Sequence, residues 1–270
     1  MTVAGEMGSP DAPSQFYTGL VAELYESLAS EHARADDHIP FLERSGTPAL
    51  ELACGSGRPL LELVERGYEV DGLDASQDML DGCRAQAEKR GLDVALHLGE
   101  MQSFSLSRRY PSIFLAGASF TLLTTDEDAA STLGRIYAHL EPGGEVMIPL
   151  EIPDVEGIRE SLGRFREVTT DAGDRLRLAT VALDVGADGR SLCRRLRFER
   201  ISTSAEPEIL ERAWKTRWWS QNQFREMLLS AGFDRVTFRA PEGGPVQSND
   251  SVFVALAGIS ARPLSRQAAG

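Results

Sequence analysis

The run Leu50-Glu51-Leu52-Ala53-Cys54-Gly55-Ser56-Gly57-Arg58 carries an acidic residue to the end of an apolar stretch and follows it with small residues. Alanine and glycines there let the backbone turn tightly and approach a bound ligand closely. Other apolar runs also end in polar side chains. Val70-Asp71-Gly72-Leu73-Asp74-Ala75-Ser76 ends near Asp74, whose carboxylate can accept hydrogen bonds from two vicinal hydroxyls. Leu98-Gly99-Glu100-Met101 sets a carboxylate beside a thioether, and Ala116 to Leu122 contributes Ser119 and Phe120. Glu151 directly follows a further apolar run, where a carboxylate could pair with an amine or take a proton. Trp214, Trp218 and Trp219 are all the tryptophans of the chain. Their rings could stack on a heteroaromatic ligand, face a cationic amine, or bury a strand-to-helix junction.

These residues need elements to hold them. The pattern predicts strands over 48–53, 68–73, 94–98, 112–116 and 145–150, with helices between them. The helix 59–66 begins with Pro59, tolerated in a first turn, and stops at Gly67. Ser76 is the expected N-cap of a helix from Gln77 to Arg90, which Gly91 ends. A helix from Asp126 to Leu140 is closed by Pro142-Gly143-Gly144. Strands alternating with helices imply parallel crossovers and an α/β, doubly wound sheet. From 151 to 217 the rhythm becomes strand-like runs at 176–185, 192–201 and 209–214, separated by turn signals that include Asp188-Gly189. That segment is the expected antiparallel β insertion after the fifth strand. A helix 222–231 and strands 235–239 and 251–257 complete the prediction of seven strands, mostly parallel. The expected divisions are a disordered start over 1–14, a helical lid over 15–45, a core over 46–150, the insertion over 151–217, the rest of the core over 218–259 and a tail over 260–270.

Two ligand classes compete for a loop of this kind. A dinucleotide fingerprint needs a third glycine, and that position holds Leu60, so an NAD-dependent oxidoreductase is a weak alternative. Glu-x-Ala-x-Gly-x-Gly instead resembles the first motif of the class I S-adenosylmethionine-dependent methyltransferases, with Ala53 in place of a usual glycine. The resemblance extends over roughly 16–258, through Asp74 and Ser76-x-x-Met79-Leu80. It implies a Rossmann-like core that binds S-adenosyl-L-methionine through Glu51, Ala53, Gly55, Gly57, Asp74, Ala75 and Met79. Asp74 would meet the ribose, Glu100 the adenine amino group and Met101 the ring. Ala116 and Ser119 would lie at the methionine end, and Phe120 at the acceptor entrance. Tyr17 and Tyr25, in an amphipathic stretch over 16–28, resemble the family's lid, with Tyr25 closing on the methionine end. His32 and His38 are candidate bases nearby.

Composition narrows the acceptor. The 270 residues carry Lys+Arg 28 against Asp+Glu 41, a net charge of -13. Residues 151–217 hold 13 basic and 13 acidic side chains, so the remainder carries all of that charge. An acidic surface repels phosphate backbones. Segment 116–120, Ala-Gly-Ala-Ser-Phe, also lacks the Pro-Pro-aromatic and Pro-Cys motifs of DNA-modifying relatives. Three cysteines without CxxC spacing suggest neither a disulfide framework nor a metal site. No signal peptide or run of about 18 apolar residues is evident, so a cytoplasmic protein with no membrane partner is expected. The 151–217 insertion and the Trp214–Phe238 stretch resemble glycine N-methyltransferase and the amino-sugar N-methyltransferases of antibiotic pathways. That implies a small-molecule acceptor, nitrogen before carbon or oxygen, with Glu151, Phe120, Trp214 and Trp218 around it. Association of copies through the insertion is a further implication. A non-catalytic cofactor-binding scaffold is the alternative from another class.

Overall fold

The computed structural model describes residues 16–22, 34–170, 173–202 and 205–261. Tyr25, His32, the first 14 residues and the tail beyond 261 fall outside them. Helix α1 (Ile39–Ser45) leads into β1 (Ala49–Leu52), α2 (Leu60–Glu65), β2 (Val70–Asp74), α3 (Gln77–Arg90), β3 (Leu96–Leu98) and β4 (Tyr110–Leu115). A 3-10 turn (Ala118–Leu122), α4 (Asp126–His139) and β5 (Leu140–Glu151) follow. Next come α5 (Val155–Glu160), β6 (Arg166–Thr169), β7 (Arg175–Val185), β8 (Ser191–Ile201), β9 (Glu208–Arg217), α6 (Gln221–Ser230), β10 (Arg235–Arg239) and β11 (Val252–Gly258).

Seven strands make one sheet in the order β10-β11-β5-β4-β1-β2-β3. Strands β1 to β5 run parallel where they pair, and β11 is antiparallel to both neighbours. The order reverses beside β1, which pairs β2 on one edge and β4 on the other. A crevice outside the carboxyl ends at such a switch point is where ligands bind in open α/β sheets. Both faces of the sheet are covered: α4 and α6 close one core and α1, α2 and α3 the other. Accordingly β1 is buried at every residue, as parallel strands with helices on both faces must be.

The second sheet, β6-β7-β8-β9, is wholly antiparallel. Strands β7 and β8 turn over Gly186–Gly189, with Gly189 at φ 65°. The expected helix from Asp126 and strand from 145 are continuous in the structure: β5 begins at Leu140, and its pairing with β4 jumps from Tyr110–Leu140 to Ser112–Glu145. Pro142-Gly143-Gly144 thus forms a bulge inside the strand. Short α5 and β6 carry no strong periodic signal and were not anticipated; Asp154 caps α5 by accepting from the Gly157 N–H at 3.0 Å.

Candidate active site

At the switch point, Ala53 and Gly55 take left-handed backbone conformations, φ 56° and 55°, curling the loop after β1 away from the sheet edge. Ala53 is the one non-glycine residue at positive φ among the described residues, a conformation that costs an L-residue about 1–2 kcal/mol. The curl turns the Gly55 N–H toward β2, where it donates to Asp74 Oδ2 at 2.8 Å. The Ser76 N–H donates to Asp74 Oδ1 at 2.8 Å. Two backbone donors therefore fix the carboxylate at the end of β2, while burial pushes its pKa up from the ordinary carboxylate value. Ser76 caps α3, its hydroxyl accepting from the Met79 N–H at 3.3 Å and donating to the Tyr17 carbonyl at 2.6 Å. Past β3, the Gly99 N–H bonds the Asp74 carbonyl, and Gln102 Nε2 donates to Glu100 Oε2 at 2.9 Å.

These residues line a cleft. Tyr17, Ala53, Gly55, Asp74, Ala75, Met79, Glu100, Met101 and Ser119, all singled out in the sequence, form its wall. Leu73, Gly99, Gln102, Leu122, Leu123, Thr124 and Asp128 also line it and were not singled out. Asp128 carried a signal only as part of the acidic first turn of α4, where such residues ordinarily offset the helix dipole.

Three expected cofactor contacts lie elsewhere. Glu51 is fully buried, neither carboxylate oxygen has a hydrogen-bond partner, and the side chain is not on the cleft wall. Burial, then the charge of Asp74, raises its pKa well above the usual carboxylate value. Gly57 serves packing: a Cβ there would sit 2.7 Å from Cys83 Sγ and 2.8 Å from Leu61 Cγ. Ala116 lines neither cavity.

A larger cavity of about 710 Å³ adjoins the cleft under the second sheet. Tyr17, Ser119 and Leu122 line both spaces. Glu151, at the carboxyl end of β5, faces the larger one, as do Trp214 and Trp218. Phe120, expected at the acceptor, is instead wholly buried in the core, edge-on to Trp219 and Phe224 with ring centroids 5.5 and 5.1 Å away. The 3-10 turn rotates it inward while its neighbours Ser119 and Thr121 face the cavity. Trp219 is likewise core, donating through Nε1 to Asp126 at 2.8 Å. His38 is buried, with Nδ1 2.9 Å from the Arg34 carbonyl, and lines neither cavity.

The roof is tied down by charge. Asp126, at the start of α4, accepts from Arg217 Nε and Nη2 at 3.0 and 2.9 Å, from Arg190 Nη2 at 2.9 Å and from Trp219. The Arg217 hydrogen bond is the first cause holding its carboxyl well below the usual range. Arg217 also reaches Asp188 in the β7–β8 turn at 2.5 Å. The N-terminal segment is tied to both sides. Phe16 and Val21 pack with Leu176, Leu196 and Phe198 of the second sheet, while the Gly19 N–H donates to Asp78 on α3 at 2.7 Å.

Among the described residues no helix is long and apolar enough to cross a membrane, and no His, Cys, Asp or Glu cluster could hold a metal. The cysteines described, Cys54, Cys83 and Cys193, are all free.

Residues 49–144 match the family model for a methyltransferase domain. The chain is 33% identical over 144 residues to dTDP-3-amino-3,6-dideoxy-alpha-D-glucopyranose N,N-dimethyltransferase of Streptomyces fradiae, which covers 50% of this chain and 55% of that protein. It is 32% identical over 147 residues to a glycine/sarcosine N-methyltransferase of Halorhodospira halochloris, 51% of this chain and 54% of that protein. The chain spans about half the length of these curated relatives. Among solved structures it is similar to the CcbJ methyltransferase of Streptomyces caelestis, with TM-score 0.72, 20% identity and coverage of 93% and 99%. A sugar N-methyltransferase from Streptoalloteichus matches with TM-score 0.70, 18% identity and coverage of 97% and 99%. At those identities the likeness is one of fold. With its loop after β1 and its acid at the end of β2, the segment over residues 49–144 matches the methyltransferase-domain family, and the chain is similar there to S-adenosylmethionine-dependent methyltransferases.

Proposed function

We propose that this chain transfers a methyl group from S-adenosyl-L-methionine to a nitrogen of a small-molecule metabolite. One observation carries the reading: the narrow cleft at the switch point and the larger cavity lie side by side, sharing Tyr17, Ser119 and Leu122 as lining residues. A donor in the first space would meet an acceptor in the second. The cleft suits the cofactor. Asp74 presents a carboxylate fixed by two backbone donors, Gly55 admits no side chain without crowding Met79 Cε at 3.1 Å, and Glu100 stands beside Met101. When bound, S-adenosylmethionine supplies an electrophilic methyl group on a sulfonium.

The chain's own work is alignment and exclusion of water. Asp74 would accept from the ribose hydroxyls, Glu100 from the adenine amino group, and Met79 and Met101 would flank the nucleoside. The backbone of Ala53 and Gly55 lets the ligand come close. Ser119 and Tyr17 line both spaces. Glu151 would accept an N–H of the acceptor amine, turning its lone pair toward the cleft and taking the proton released on methylation. Trp214 and Trp218 would hold the acceptor's body. Tyr25 keeps its place as a proposed lid residue from the sequence alone. The similarity to amino-sugar and glycine/sarcosine enzymes supports an amine acceptor and a setting in natural-product biosynthesis. We extend the reading to a cytoplasmic enzyme that associates through the second sheet, a point that sedimentation tests directly.

Calorimetry with S-adenosylhomocysteine tests the cofactor site. Asp74→Ala should weaken binding about 10- to 100-fold, the value of one hydrogen bond to a charged acceptor. Glu151→Gln should leave that affinity unchanged while lowering turnover of an amine acceptor at least tenfold. Unchanged binding in Asp74→Ala would remove the proposed site.

A further inference from the structure

Building on the transferase reading, we propose that the acceptor carries an anionic group, received by Arg194 on the roof of the larger cavity while Glu151 faces its amine. Leu192, Arg194, Leu196 and Phe198 alternate along β8 onto one face, and all four line the cavity. Arg194 is the only charged residue of that set. Its guanidinium carbon lies 4.5 Å from the centre of the Trp214 ring, a cation–π contact that anchors the group to the roof. Arg177, Arg197 and Arg217 on the same sheet each hold an acidic side chain. Arg194 has no carboxylate within ion-pair distance among the described residues.

A half-buried guanidinium with no direct ion pair is costly; burial lowers its pKa, and the charge of Glu151 is the main opposing influence. Trp214 Nε1 beside it is buried without a hydrogen-bond partner. A planar, forked donor of this kind suits carboxylate or phosphate oxygens. Arg166 lines the same cavity, exposed at its edge, also without an ion pair among the described residues. Glu151, the last residue of β5, and Asp154 just beyond it line the same cavity. The cavity is thus basic on its roof and acidic where the methyl group would arrive. A ligand that is an amine at one end and an anion at the other matches that polarity. Its anionic end could be a phosphate or a carboxylate.

The full-length protein, saturated with S-adenosylhomocysteine, would be titrated with thymidine diphosphate and separately with glycine, as wild type, Arg194→Met and Arg194→Lys. At least one anion should bind the wild type, bind Arg194→Met at least tenfold more weakly, and be partly restored by Arg194→Lys. Raised salt should weaken the wild-type interaction. Diphosphate binding assigns a phosphate-bearing acceptor, glycine binding a carboxylate. Neither anion binding at millimolar concentration, or equal binding to Arg194→Met, overturns the proposal. Because S-adenosylhomocysteine affinity and the thermal midpoint are read in the same samples, loss of cofactor binding would instead sink the transferase reading, and a collapsed midpoint would flag misfolding. In that last case Arg194→Gln, which keeps a polar head without the charge, decides: an affinity equal to wild type for both anions across a salt series counts against the inference.

Discussion

Glu51 is an acid without an ordinary partner. Both oxygens are buried and unbonded, and Asp74's charge lies close enough to raise its pKa further. Folding therefore makes Glu51 hold its proton more tightly than it does in the unfolded chain. The linkage follows in sign: stability is greatest below the ordinary carboxylate pKa and declines as pH rises toward the folded-state pKa. The slope across that window is about 1.4 kcal/mol per pH unit. Glu51→Gln keeps the shape and cannot ionise, so it should match the wild type near pH 4 and exceed its unfolding free energy at pH 8. Urea titrations of both proteins over pH 4–8 would check this, and parallel profiles would show that Glu51 is not protonated in the fold. The same residue shows where single-residue reading stops. Strand β1 is buried on both faces, so alternation cannot say which face Glu51 takes. Asp74 was legible because it ends its strand and the Ser76 cap follows, a local signal that needs no partner.

At the scale of elements, capping and turn chemistry carried most of the order: α3 begins at Gln77 and ends before Gly91 as its Ser and Gly flanks require. The second sheet's strands were visible from their turns, but its docking was not. That docking depends on Asp126, which a sequence reading sees only as a helix-starting acid, meeting Arg190 of the β7–β8 turn and Arg217 of β9, 64 and 91 residues away. Arg194 escaped notice for a related reason. Its apolar neighbours on β8 show that it lies on the inner face, yet only the tertiary arrangement shows that this face covers a cavity. Phe120 was misplaced because a 3-10 turn rotates successive side chains by about 120° and not by the roughly 180° alternation of extended chain. The Asp126 junction makes a prediction at this scale. Asp126→Asn keeps the indole hydrogen bond but removes the charge that holds Arg217, whose side chain is only 10% exposed. Because Asp126 itself is 46% exposed, the loss should be about 1–2 kcal/mol. The expected outcome is a several-fold rise in acceptor KM and faster proteolysis at the 186–190 turn, with S-adenosylhomocysteine affinity within twofold. Equal loss at both sites would show that the junction supports the whole core and not the roof alone.

The whole molecule is two sheets with one short segment fastened to both. Phe16 packs against Phe198 and Trp214, with ring centroids 6.1 and 5.7 Å away, and so belongs to the second sheet. Three residues on, Gly19 is bonded to α3 of the first, and Tyr17 between them lines both the cleft and the larger cavity. Any ligand that favours the docked segment in one space therefore favours it in the other. Thermodynamic linkage makes the effect reciprocal, and such couplings typically amount to about 5- to 150-fold in affinity. An acceptor-side ligand should then bind at least fivefold more tightly when S-adenosylhomocysteine fills the cleft. Phe16→Ala leaves every cleft contact of Asp74 and Glu100 in place but removes the ring that anchors the segment to the roof. It should reduce the coupling toward unity while changing the cofactor affinity measured alone by less than the coupling itself. Four titrations, each ligand with and without the other, close the cycle for wild type and variant. If coupling persists undiminished in Phe16→Ala, the two sheets communicate through the β5–α5 segment that carries Glu151, and the N-terminal strap is only a cover.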